Sequence, residues 1–383
     1  MSKVARSPSL EDAVRRMRVW GEANEWSGYD PYDALNSPLA PVLTLGRPFA
    51  RRAMTQVVKR SPVNLRPALG VPRSHNAKAI ALVASGYAHL AADGDVGAGA
   101  AARGWLNWLL ENSTGGHGPA WGYHFDVETR FFGYPKGTPN AIASSFAGHA
   151  LLDGYELLGD ERWGDAARSA ANELVRLLLR DGTRPYFRYL AKEDELVHNA
   201  NLLCAGVLAR AVTILDATEL EDVLRSVLPA SLGAQREDGA WPYADSPGRG
   251  WVDNFHTGYV LDSLSYCVAV EPRIEPQLRR GMEFWSSQLF LDDGTPKYDT
   301  RSQYPLDAHC YATAIDTFVA LESLASAHRV AMLLVSRMLH PKGFVRFQQH
   351  RRYTNNVPFV RWSTAPTFRA LSRLTHAERL SGA

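Results

Sequence analysis

The stretch 251–266, WVDNFHTGYVLDSLSY, sets Asp253, Asn254 and His256 at the head of an apolar run with helical character. The same arrangement returns along the chain. Counterparts of His256 are Phe146 in NAIASSFAGHALLDGYELLG, Asn201 in HNANLLCAGVLARAVTIL, His309 in LDAHCYATAIDTFVAL and Ser363 in RWSTAPTFRALSRL. Successive anchors lie about 55, 55, 53 and 54 positions apart, a period that belongs to stacked or ring-forming units. Each unit reads as an α-hairpin: an anchor-bearing helix, a short turn, a second helix, then a loop with glycine and an aromatic.

The two helices of each unit differ in pattern. Anchor-bearing runs are rich in Ala, Gly, Ser and Leu nearly all round and should be buried. The intervening runs carry one apolar stripe. Trp163, Ala167, Ala170, Leu174 and Leu177 share a face opposite Asp165, Arg168, Glu173 and Arg176, and Leu220, Val223, Leu224, Val227 and Leu228 behave alike. Gly159 and Asp160 read as the stop of one helix and the cap of the next. Six buried helices are expected, starting near residues 76, 141, 199, 254, 307 and 362, with five amphipathic helices between them. The run from Leu10 to Asn24 supplies a sixth. The expected fold is all-α, an (α/α)6 toroid over residues 75–383 with an N-terminal helical segment, residues 1–74, packed on it; an open α-solenoid is the alternative.

Bulk composition fits a folded chain of 383 residues, with 45% hydrophobic and 21% charged residues. A net charge of +2 points to neither nucleic acid nor membrane. The nearest approach to a basic tract, GRPFARRAMTQVVKR at 46–60, mixes apolar and basic residues and reads as an amphipathic helix. Cys204, Cys267 and Cys310 fall inside buried helices, which suits core packing in a reducing compartment. No apolar leader opens the chain and no run of 18 apolar residues occurs, so a cytoplasmic protein without a transmembrane segment is expected.

Loops that lead into the buried helices are long, aromatic and glycine-bearing, as in EDGAWPYADSPGRGWVDN and DDGTPKYDTRSQYPLD. In a closed ring they would cover one face, toward which the buried helices also aim their positive N-terminal ends, favouring an anionic ligand. Candidate catalytic residues on that face are His256, His309, Asp253, Asp307, Asp126 and Tyr298. Candidate ligand contacts are Arg130, Lys136, Asn140, His198, Asn199, Asn201, Asn254, Tyr259 and Lys297. The aromatics Trp121, Tyr123, Trp241 and Trp251 could stack on a sugar ring or pin the loops to the ring. Asp253 and Asp307 serve equally well as helix N-caps, and Asp126 could pair with Arg130 across its loop. HExxH, CxxC, P-loop and serine-elbow motifs are absent, so no metal or cofactor is implied.

The segments DPYDALNSP, NLRPALG, FDVETRFFGYPKGTPNAIASSFAGHALLDGYE, VHNANLL and WVDNFHTGYVLDSL resemble a family of bacterial proteins encoded among polysaccharide-biosynthesis genes and grouped with six-hairpin glycosidase-like (α/α)6 proteins. Some members carry the name δ-aminolevulinic acid dehydratase, an enzyme built on a β/α barrel that the all-helical repeat here does not match. The resemblance implies a glycan-related setting. DNFHTGYVLDSL is also similar to the histidine-bearing helix of glucuronyl C5-epimerases.

Together these readings point to a carbohydrate-active enzyme that modifies a bacterial, acidic glycan by acid/base chemistry. In a uronate epimerase or lyase, His256, His309 or Tyr298 would move protons while Asn201, Asn254, Lys297 or Arg130 neutralise the carboxylate. In a hydrolase, two of Asp126, Asp253 and Asp307 would act as acid and base. A non-catalytic glycan-binding or assembly protein is the alternative class, and a terpene or prenyl cyclase-like toroid is a third, without its acidic protonation motif.

Overall fold

The computed structural model describes residues 9–130, 133–180, 182 and 184–382. Fourteen α-helices account for most of these. Three precede the repeats: α1 (Leu10–Ala23), α2 (Ala40–Thr44) and α3 (Pro48–Arg60). Pairs then alternate: α4 (Ala77–Ala92) with α5 (Val96–Glu111), α6 (Ala141–Leu158) with α7 (Glu161–Val175), and α8 (His198–Leu215) with α9 (Glu221–Leu232). They continue with α10 (Asn254–Val268) and α11 (Glu275–Gln288), α12 (Ala308–Ala320) and α13 (Leu324–Met338), and a last helix α14 (Ala365–Ser381) entered through a π-helical turn at Val360–Thr364.

The even-numbered helices from α4 to α14 form an inner ring in which each packs on the next and α14 returns to α4. Their partners lie outside, and α1 fills the sixth outer place against α13 and α14. The ring closes, as an (α/α)6 toroid and not as an open solenoid. Inner helices approach closely because glycine sits at their crossings. A Cβ at Gly86 would lie 2.8 Å from Phe368 and 3.3 Å from the Arg369 backbone, and one at Gly258 would lie 2.7 Å from Thr313. By contrast the outer helix α7 buries only Trp163, Gly164, Ala167, Ala170, Ala171 and Leu174, the stripe expected from its pattern. Gly159 ends α6 in the left-handed region and the Asp160 side chain caps α7, as the sequence indicates.

Long loops gather at the N-terminal ends of the inner helices. They carry short antiparallel pairings the helical periodicity did not reveal: β1 (Val127–Glu128) with β2 (Gly133–Tyr134), β3 (Leu178–Leu179) with β4 (Tyr186–Phe187), and the trio β5 (Leu306–Asp307), β6 (Gln348–Gln349) and β7 (Thr354–Asn355). The segment between α1 and α4 folds over the same end, with α3 against β1. One helix, α8, meets the length and mean hydropathy of a membrane span, 18 residues at 1.2, and 78% of it is buried in the ring. Cys204, Cys267 and Cys310 are free and buried in α8, α10 and α12.

Gly86 stands at the seam where α14 meets α4, so a branched side chain there has no room to be absorbed. Gly86→Leu is expected to lower unfolding free energy by about 1–3 kcal/mol in urea titrations. Gly104→Ala on the outer helix α5, where nothing lies within 4 Å of the new Cβ, is expected to leave stability unchanged or raise it by up to about 1 kcal/mol. Equal effects at the two sites would contradict glycine-dependent closure.

Candidate functional site

The inner-helix N-termini and their loops enclose a cavity of about 620 Å³, within the range of small-molecule sites. Its wall holds two of the expected acid/base groups on one helix. Asp253 caps α10 by accepting the His256 backbone N–H at 2.9 Å, and its other oxygen accepts from His256 Nδ1 at 2.6 Å. The capping role and the pairing with histidine therefore coexist. A carboxylate at Nδ1 fixes the proton there and leaves Nε2 as the basic nitrogen.

One turn further along α10, Tyr259 lies in a buried chain of hydrogen bonds. His309 Nδ1 donates to the Trp362 carbonyl at 2.8 Å, so its Nε2 accepts from the Tyr259 hydroxyl at 2.6 Å. Lys78 Nζ donates to the same tyrosine oxygen at 3.1 Å and sits over the Phe146 ring at 4.1 Å. Burial, then the Arg361 charge, holds Lys78 well below the ordinary lysine range. Burial, then Lys78, does the same to His309, and burial pushes the Tyr259 hydroxyl up. All three are thus set toward their neutral forms, which is what desolvation favours for each.

Arg361 lies in the π-helical turn, buried, with both forks on Asp30. Burial alone would raise the Asp30 carboxyl, but the Arg361 guanidinium more than offsets this and holds it below its usual value. The guanidinium also covers the Tyr123 ring at 4.8 Å. Arginines on the wall are Arg130, Arg236, Arg301 and Arg361, with Lys78 beside them, against the carboxylates Asp253 and Asp299. Flat aromatic faces complete it: Tyr243 stacks on Trp251 at 4.4 Å, Tyr123 on Phe125 at 5.4 Å, and Trp362 on His309 at 4.8 Å.

Of the expected residues, His256, His309, Asp253, Tyr298, Arg130, Asn199, Tyr259, Tyr123 and Trp251 line this cavity. Asn199 presents a buried Oδ1 without a hydrogen-bond partner among the described residues. Tyr298 is pushed well above its ordinary range by burial, then by Asp253 and Asp307.

The others are placed elsewhere, each for a physical reason. Asp307 is fully buried behind Trp362, capping α12 and accepting from Gln348 at 2.6 Å and from the Trp362 indole at 3.1 Å; burial pushes its carboxyl up to about 6. Asp126 pairs with Arg51 at 2.9 Å, not with Arg130, and accepts the Lys136 backbone N–H, while the Lys136 side chain is exposed on that turn. Asn140 caps α6. His198 is tied between Ser231 and Asp245, and Asn201 holds the Phe187 amide and the Val227 carbonyl. Asn254 donates to the Leu289 carbonyl, and the Lys297 amide returns to the same oxygen. Trp121 and Trp241 are core pins, their indoles bound to the Leu109 and Ser231 carbonyls.

The helix-end reading also needs correction. Side chains of Asn76, Asn140, Asp253 and Asp307 already occupy first-turn amides of α4, α6, α10 and α12. Positive charge in the cavity comes instead from arginine. Lys78, Arg361 and Tyr32 were not singled out in the sequence. A lysine inside the Ala-rich run of α4 was the one available signal, since an unpaired lysine is seldom buried.

No protein-family model and no curated protein matches the sequence. Solved structures do match in fold. An unsaturated glucuronyl hydrolase specific for heparin superposes with a TM-score of 0.64 at 11% identity, covering 98% of this chain and 97% of that one. The GH76 α-mannanase of Bacteroides thetaiotaomicron gives 0.62 at 11% identity, over 81% and 88% of the two chains. Cellobiose 2-epimerase from Bacillus thermoamylovorans gives 0.61 at 12% identity, over 96% and 99%. At these identities the likeness establishes the toroid shared with six-hairpin enzymes.

Lys78 makes a pH-dependent prediction. A base whose charged form the fold disfavours costs stability while the unfolded chain is protonated, and that cost vanishes as pH rises to the unfolded value of about 10.4. Lys78→Met keeps the length and removes the charge. Its melting temperature is expected to exceed that of the wild type by a few degrees at neutral pH, with the difference closing toward pH ~10. A variant destabilised equally at both pH values would show a charged, well-compensated lysine instead.

Proposed function

We propose that the protein is a carbohydrate-active enzyme that abstracts the proton next to the carboxylate of a uronate residue in a bacterial acidic glycan. The observation that carries this reading is the pairing, on successive turns of α10, of a carboxylate-backed histidine with a tyrosine that accepts from Lys78 and donates to His309. His256 Nε2 would take the C5 proton as Asp253 stabilises the resulting imidazolium. Positions three apart on a helix face the same way, so Tyr259 is placed to protonate the departing 4-oxygen in a β-elimination, regaining its proton from solvent after product leaves. Return of a proton to C5 from the opposite side, through Tyr298, would give an epimer instead. Arg361 and Arg130 suit the negative charge that grows on the carboxylate as the C–H bond breaks. Stacked pairs such as Tyr243–Trp251 suit sugar faces.

Fold neighbours that act on carbohydrates, by hydrolysis or epimerisation as their names state, favour this substrate class. The resemblance to proteins encoded among polysaccharide-biosynthesis genes favours a biosynthetic setting. Hydrolysis by paired carboxylates is less supported, because Asp126 and Asp307 are engaged away from the cavity.

Incubation in deuterated water with a panel of uronate-containing glycans tests the proposal. Deuterium at C5, or a new 4,5-unsaturated uronate, is expected. His256→Ala should reduce the rate by ~10²-fold or more and Tyr259→Phe by a comparable factor. New reducing ends without either signal would replace the reading with hydrolysis. Glycan binding with no turnover across the panel would replace it with a binding protein.

A further inference from the structure

A second feature lies outside the cavity, on the segment that covers it. Seven of the eleven large apolar side chains exposed among the described residues fall between Leu39 and Val63. Val42 and Leu43 on α2, Leu45 just beyond it and Phe49 at the start of α3 are each more than half exposed, at 74%, 58%, 73% and 77%. Along α3 the stripe Phe49, Ala53, Val57 faces solvent at four-residue spacing, while Thr55 and Val58 face inward. A helix that turns an apolar stripe outward has not buried it against its own chain.

Charge on this segment is of one sign. From Ala34 to Ala92 no aspartate or glutamate occurs, while Arg47, Arg51, Arg52, Lys59 and Arg60 lie on or beside α3. Two of these are used internally: Arg51 pairs with Asp126, and Lys59 donates to the Tyr32 hydroxyl at 2.6 Å. Arg47 and Arg60 are exposed and Arg52 is half-exposed, flanking the apolar stripe. The chain-wide net charge of +2 conceals this local run.

We propose that residues 39–60 dock the protein on an anionic phospholipid bilayer. Val42, Leu43, Leu45 and Phe49 would enter the headgroup–acyl boundary, and Arg47, Arg52 and Arg60 would meet lipid phosphates. A run of arginines beside an apolar helix face without a single carboxylate complements such a surface. A second copy of the chain would have to cover the same positive charges with others like them. The inner side of α3 contributes Gln56 to the cavity wall, so docking would bring the cavity within about a helix diameter, ~10 Å, of the lipid surface. The proposal stands apart from the proton-abstraction reading, because vesicle binding requires no turnover.

Co-sedimentation of the full chain with vesicles of phosphatidylcholine, alone or mixed equally with phosphatidylglycerol, tests it. Binding to the mixed vesicles is expected, weakening at high salt and falling on phosphatidylcholine alone. The double change Leu43→Ser with Phe49→Ser should reduce partitioning by ~10-fold or more, and Ala53→Trp should increase it several-fold. Unchanged melting temperatures of both variants, and a pellet without vesicles no larger than that of the wild type, exclude misfolding as the cause of either the gain or the loss. Absence of wild-type binding to the anionic vesicles, or binding indifferent to all three substitutions, overturns the proposal. Self-association in sedimentation velocity that the serine variant abolishes, with no vesicle binding, would assign the patch to a second copy and equally overturn it.

Discussion

Closure of the inner ring is the constraint from which the rest follows. Six helices can surround one axis only if each crosses its neighbour at short range, and the small residues that fill them permit that approach. Gly86 against Phe368, and Gly258 against Thr313, mark two such crossings. Once closed, the ring brings residues hundreds of positions apart to one rim. Lys78 of α4 reaches Tyr259 of α10 across the ring axis, and Asp30, in the segment before the first inner helix, reaches Arg361, just before the last.

Below the cavity the axis is filled by charge in place of aliphatic side chains. Arg210 of α8 pairs with Asp153 of α6 at 2.8 Å, and Arg369 of α14 pairs with Asp316 of α12 at 2.7 Å. Burial alone would raise the Asp153 carboxyl, but the Arg210 charge reverses this and holds it far below the ordinary range. A void of about 30 Å³ lies among these groups, on the scale of bound water. Tyr259 and Phe146 border that void and the cavity region above it. The ion-paired layer therefore forms a floor, and separates the cavity from the opening on the opposite face lined by Arg210, Arg373 and Glu156.

The fold could be read from the sequence because a period of about 54 residues and two alternating helix patterns leave few architectures open. Inner helices start within a few residues of the expected positions, and Leu10–Ala23 takes the sixth outer place. Anchor residues were less well matched. His256 and His309 are the third and second residues of their helices, whereas Phe146 is the sixth of α6, one turn deeper in the ring. For the site, sequence identified which loops and helix starts face the cavity but could not separate wall from scaffold. Asp253 and Asp307 both cap helices; one reaches the cavity and the other is shut behind Trp362. That difference depends on which aromatic the final loop lays over the carboxylate, which no local pattern encodes. Lys78 and Arg361 were missed for a related reason. Their partners Tyr259 and Asp30 lie 181 and 331 positions away.

The outermost ion pair, Arg379 with Glu11 at 2.7 Å, joins the last helix to the first. A nascent chain emerging from the ribosome thus carries Glu11 and the Asp30 carboxylate before Arg379 and Arg361, their ion-pair partners, are synthesised. The ring is sealed by α14, the last of the inner helices. A first and a last helix that meet in this way also make the order of the hairpins arbitrary. Joining residues 9 and 382 through a short linker and cutting an outer turn elsewhere would preserve every neighbour relation in the wheel while changing which spoke is made first.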